Sequence, residues 1–143
     1  MAPASASDAA SRAALLAGMI GSNWPDTIST GLSRPWAGRV WLNPPYAAGV
    51  VDRFVEKLVG HVEAREVAAA VLLVHARTDV EWFHRAAGAS ARVCFTRGRV
   101  RFLRPGGDDP GAPTTGSAFL YFGPEPQTFK EVFSAFGWVA AGA

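Results

Sequence analysis

The chain has 143 residues, of which 49% are apolar, and a mean hydropathy of +0.11. That is one domain able to bury about two-thirds of its unfolded surface, which excludes global disorder. The formal net charge is only +2, but twelve Arg stand against two Lys and the pI is near 9.1. Arg suits bidentate contacts to phosphates and base edges, and a GC-rich coding sequence gives the same bias, so the charge is compatible with nucleic acid without establishing it. Cys94 stands alone, which excludes a disulfide framework and a cysteine-built zinc site. In its apolar, β-like surroundings it is expected to be an inert core residue.

Residues 1–30 are expected to be a weakly structured segment, with a short helix over 11–20 behind Ser11 as cap. The stretch around Leu15–Ile20 lacks the cleavage site of a secretory leader, so an intracellular protein is expected. Residues 31–143 are read as the folded domain. From Gly21 to Gly38 the chain is punctuated by Pro25, Gly31, Pro35 and Gly38 and reads as loop. Val40-Trp41-Leu42 then predicts a buried strand.

Asn43-Pro44-Pro45-Tyr46 follows directly, and it carries more chemistry than any other stretch. The amine of a planar, amide-like nitrogen is a poor nucleophile, because its lone pair is delocalised into the neighbouring ring or carbonyl. The Asn43 side-chain oxygen and the Pro44 carbonyl can each accept one of its two N–H bonds. That draws the nitrogen towards tetrahedral geometry and localises the lone pair. Two prolines in succession fix φ and remove both N–H donors, so their carbonyls are rigidly presented. Tyr46 offers a flat face on which a base can stack. Asn43, Pro44, Pro45 and Tyr46 are therefore the candidate catalytic residues of a methyltransferase.

Val51, Phe54, Val55, Leu58 and Val62 recur at helical spacing, with Asp52, Arg53, Glu56 and Lys57 on the opposite face, and predict an amphipathic helix. Residues 67–74 are eight apolar residues in a row. They are too few to span a bilayer and read as a buried strand of a parallel sheet. Arg77, Thr78 and Asp79 follow that strand's end, where open α/β sheets bind ligands. Two readings apply there: Arg77 contacts a phosphate or lines the pocket, or Arg77 pairs with Asp79 while Thr78 caps the next helix.

Residues 79–87 predict that helix, with Trp82 and Phe83 as helix-to-sheet core and His84 without a specific role. Two short strands over 91–95 and 99–103 are expected to form a hairpin around Thr96-Arg97-Gly98. On it Arg97, Arg99 and Arg101 alternate, so they would project to one side, either along a DNA backbone or as a solvated face. Residues 105–116 read as an exposed loop, 117–122 as a strand, 127–136 as a helix, and Trp138-Val139 as a terminal edge. The fold class is α/β with a mixed sheet and a hairpin-rich C-terminal half.

Several stretches occur together, in order: Gly31-Leu32 with Pro35-Trp36; Gly38-Arg39-Val40-Trp41; Asn43-Pro44-Pro45-Tyr46; Leu72-Leu73; Ala76-Arg77-Thr78-Asp79; Trp82-Phe83-His84; Arg97-Gly98-Arg99 with Arg101-Phe102; and Ser117-Ala118. The set resembles the phage-type DNA N-6-adenine methyltransferase (Dam-like) family over about residues 31–122. The resemblance implies a Rossmann-like methyltransferase fold, S-adenosylmethionine as methyl donor and adenine in DNA as acceptor. It also implies the cytoplasm of a bacterium or phage-infected cell as the location, and no metal. It makes Asn43 a residue shared by the base site and the cofactor. It assigns Arg77, Thr78, Asp79, Arg97, Arg99 and Arg101 to the substrate or DNA side.

Only 42 residues precede Asn43, and none forms an apolar strand ending in an acidic or Gly-rich turn. Thr30 stands where the family tends to carry an acidic residue. The expectation is either an incomplete fold, shortened at its N-terminus and lacking much of the cofactor pocket, or a chain whose true start lies further upstream. Two other readings stay beside the enzyme: a DNA-binding remnant of the family, and a protein or RNA methyltransferase sharing Asn-Pro-Pro-Tyr.

Overall fold

A computed structural model of the chain describes residues 32–45, 47–100 and 114–142. The predicted helix over 11–20, Tyr46, Arg101 and most of the 105–116 loop lie outside the described residues. In chain order the elements are β1 (Gly38–Leu42), α1 (Val51–Glu63), β2 (Val67–His75), α2 (Glu81–Ala89), β3 (Arg92–Thr96), β4 (Ser117–Phe122), α3 (Pro126–Phe133) and β5 (Gly137–Ala141).

The five strands form one mixed sheet in the order β1-β2-β4-β3-β5. β1 runs parallel to β2, a pairing that needs the crossover helix α1 between them. β4 is antiparallel to both β2 and β3, and β5 is antiparallel to β3. β2 is thus parallel on one edge and antiparallel on the other, in the mixed sheet expected from the sequence.

Side-chain alternation along the strands divides the core between the two faces of the sheet. Leu72 and Val74, with Val93, Ala118 and Leu120, pack under α1 and α2 through Phe54, Val55, Leu58 and Phe83. Val71, Leu73, Cys94, Phe119 and Tyr121 face α3 through Phe129 and Phe133. A stack of aromatic rings fills that second layer, with Phe129 and Phe133 4.0 Å apart and Phe119 edge-on to Phe133 at 5.1 Å. Cys94 is fully buried there, and burial pushes its thiol up to about 12, so it is the inert core residue expected.

Three sequence expectations need correction. β1 is an outer strand of the sheet, with Leu42 buried but Val40 and Trp41 only half-buried, because it has a strand partner on one side alone among the described residues. β3 does not form the expected hairpin with its neighbour in sequence: both of its edges are paired, to β4 and to β5. Arg97 and Arg99 accordingly lie past the end of β3 rather than alternating along a ribbon.

The third correction concerns Lys57, which does not sit on a solvated face. Its ammonium donates to the carbonyls of Leu32 (2.7 Å) and Arg34 (2.5 Å) and lies 5.0 Å from the Trp36 ring. Desolvation lowers its pKa. Lys57 thereby pins residues 32–36 onto α1, and Trp36 stacks on Phe54 at 6.1 Å.

Phe119 is fully buried between β2, β3 and α3. Phe119→Ala is expected to cost about 3–5 kcal/mol through lost burial and the cavity left behind. In urea titration the midpoint should fall at unchanged slope. An unchanged midpoint would contradict the two-layer core.

Candidate functional site

Strand direction decides which residues meet. β1 and β2 point their carboxyl ends the same way, β4 and β5 bring their amino ends to that place, and β3 brings its carboxyl end. One end of the sheet therefore collects Asn43-Pro44-Pro45, Ala76 to Asp79, Thr96-Arg97, Gly116-Ser117 and Gly137. This is the carboxyl end of the parallel pair, where open α/β sheets hold ligands. Every candidate site residue that is described lies along it.

Asn43 immediately follows β1, one step past the Leu42–Leu72 pairing, and is half-buried. Pro44 is buried and Pro45 exposed, so the dipeptide descends from the sheet and turns outward within two residues. No helix starts there, because a residue before proline is driven out of the helical region. α1 begins only at Val51.

At the end of β2, the Arg77 N–H bonds the His75 carbonyl (2.8 Å), and the Ala76 N–H bonds the Gly116 carbonyl (2.9 Å). These bonds turn the chain sharply and tie it to the start of β4. The Arg77 guanidinium contacts the Asp79 carboxylate at 3.3 Å with both groups exposed. That hydrogen bond holds the Asp79 carboxyl below its ordinary value. The structure therefore contains the ion pair, but Thr78 does not cap the helix. Val80 is the N-cap, without a side-chain cap bond, and the His84 Nε2–H donates to the Thr78 carbonyl at 2.8 Å instead.

His75 and Ser117 face each other across the β2–β4 ladder. The Ser117 hydroxyl is 2% exposed and has no hydrogen-bond partner among the described residues. A buried hydroxyl left unsatisfied costs about 1–3 kcal/mol, so it marks a place for a polar group. Its only signal in the sequence is a small polar residue opening an otherwise apolar strand. Nearby, the Thr96 hydroxyl lies 3.1 Å from the carbonyls of both Ser117 and Gly98 and fastens the exit of β3 to the entry of β4.

Arg97 and Arg99 are exposed at this same end. β3 stands three strands from β1 in the sheet, about 14 Å at the usual spacing. They are thus too far away to share a single small group with Asn43. A separate cavity of about 130 Å³, lined by Arg39, Ala69, Tyr121, Thr128 and Phe129, sits at the opposite end of β2. It is smaller than the roughly 300 Å³ at which small-molecule pockets begin.

The family model for DNA N-6-adenine-methyltransferase (Dam) matches residues 22–129, and the chain belongs to that family. No curated protein and no solved structure gives a significant match. Among the described residues no helix is long and apolar enough to cross a membrane, and no cluster of His, Cys, Asp or Glu could hold a metal ion.

Burial, and secondarily the charge of Arg77, holds His75 below the ordinary histidine value of 6.5. The unfolded chain therefore takes up this proton first as the pH falls. The stability from neutral His75 is full above about 6.5 and is lost as the pH drops through that value towards the lower folded pKa. The urea midpoint is expected to decline between about pH 7.5 and 5.5, and to decline less steeply in His75→Gln. Equal slopes in the two proteins would contradict the assignment.

Proposed function

We propose that this chain is a site-specific DNA methyltransferase that transfers the methyl group of S-adenosylmethionine to the exocyclic amine of adenine. The observation that carries the reading is Asn43-Pro44-Pro45 directly past the carboxyl end of β1, in a member of the Dam family. A parallel β1–α1–β2 unit continued by antiparallel strands supports a Rossmann-like methyltransferase sheet, with the site at its ligand-bearing end.

A duplex adenine must leave the base stack to reach this edge, at a cost of a few kcal/mol. Tyr46 would hold the extruded ring by stacking. The Asn43 side-chain oxygen and the Pro44 carbonyl would then accept the two N–H bonds of its amine. That fixes the amine and localises its lone pair for attack. The amine needs no base before it is methylated, because the proton is lost afterwards from a cationic nitrogen. These residues therefore act by orientation and by acceptors set in place beforehand.

S-adenosylmethionine supplies an electrophilic methyl group at a sulfonium. The described residues fit its acceptor side better than its own binding. Asn43 would touch both partners. Every carboxylate among the described residues is exposed, so none of them forms a buried partner for ribose hydroxyls. Arg77, Thr78 and Asp79, and beyond them Arg97, Arg99 and Arg101, are assigned to the DNA side.

Asn43→Ala is expected to lower the methylation rate about a hundred- to a thousand-fold, the usual effect of removing one preorganised electrostatic partner. Thermal unfolding of the variant serves as the control for folding. Methylation at the wild-type rate by a folded Asn43→Ala protein would overturn the assignment.

A further inference from the structure

Trp138 is the one large apolar side chain that is exposed among the described residues, with 70% of its surface open. It lies on β5, directly opposite Phe95 in the β3–β5 ladder. Its indole stacks on the Phe95 ring at 5.6 Å and 22°. Phe95 is backed in turn by Phe83 at 6.5 Å, and Phe83 by Trp82 at 6.0 Å. One face of the indole is thus held by a row of rings running back to α2, while the side chain remains open to solvent.

The surroundings are basic. The Arg97 N–H donates to the Phe136 carbonyl at 2.8 Å, which continues the ladder one residue past β3. Arg97 therefore stands beside the entry to β5, two residues along the chain from Phe95. Arg97 and Arg99 are exposed just past the end of β3, and residues 137–142 carry no charged side chain.

Resting on the methyltransferase reading above, we propose that Trp138 and Arg97 form a second contact with DNA. In it the indole stacks on an unpaired base of the strand flanking the target, and the guanidinium meets the backbone phosphate. Aromatic stacking beside a cation is how unpaired nucleic acid is held without regard to sequence. Spacing separates this contact from the catalytic pocket. β5 is four strands from β1, about 19 Å at the usual interstrand distance.

The test is fluorescence anisotropy of a labelled single-stranded oligonucleotide of about 20 nucleotides, which spans that distance. The full chain is compared with Trp138→Ala, Trp138→Phe and Arg97→Ala. Trp138→Ala is expected to weaken binding about 5- to 100-fold. Trp138→Phe should keep most of the affinity, and Arg97→Ala should weaken binding and flatten its salt dependence. The methylation rate at saturating DNA should be unchanged in both Trp138 variants.

Wild-type affinity in folded Trp138→Ala, with the parent chain binding and methylating DNA, would overturn this inference alone. A parent chain that binds no DNA would overturn the methyltransferase reading with it. Sedimentation showing a parent dimer that Trp138→Ala dissolves would reassign the indole to self-association and overturn the DNA contact.

Discussion

Both edges of β2 are hydrogen-bonded, to a parallel strand on one side and an antiparallel strand on the other, and the placement of every candidate residue follows from that pairing. Parallel pairing with β1 brings Asn43 and the Arg77 turn to one end of the sheet. Antiparallel pairing with β4 brings Ser117 there too, and through β3 it also brings Thr96 and Arg97. The pairing is held by burial on both faces. Residues 70–74 are almost completely inaccessible, and their side chains feed the two cores in alternation. A slip of one residue would turn each of these side chains to the wrong core and move the catalytic end out of line.

The site is divided by the same geometry. Its β1 end offers fixed acceptors on a short proline-stiffened segment, suited to orienting one amine. Its β3–β5 end offers arginines and an exposed indole about 14 to 19 Å away by strand spacing, suited to a longer polyanion. Between them the His75–Ser117 pair supplies polar groups buried against the sheet. Acceptors at one end of this edge, with arginines and an exposed indole at the other, suit the proposed extrusion of one base while the strand around it is gripped.

How much of this was legible in the sequence depends on the range of the interaction involved. The position of Asn43-Pro44-Pro45 past a strand end was readable because strand and prolines are consecutive in sequence, and β2 because eight apolar residues in a row need burial on both faces. α1 was readable from its period, yet the period could not reveal Lys57. That side chain leaves the polar face to bond carbonyls some 23 to 25 residues earlier. The false hairpin over 91–103 has the same cause. Local alternation favoured a neighbouring partner, but the true partners of β3 are β4 and β5, roughly 25 and 45 residues further along in register. Trp138-Val139 was read as a terminal edge, and β5 is an outer strand, but the stacking of the exposed indole on Phe95 follows only from the β3–β5 pairing.

The central claim is that the segment following β1 presents adenine's amine for methylation. The most direct measurement is nucleoside mass spectrometry of adenine-containing DNA incubated with the purified full-length chain and isotopically labelled S-adenosylmethionine. The account predicts label in N6-methyldeoxyadenosine and in no other nucleoside. Label in methylated cytosine, or none in DNA under conditions where the folded chain binds the donor, would contradict it.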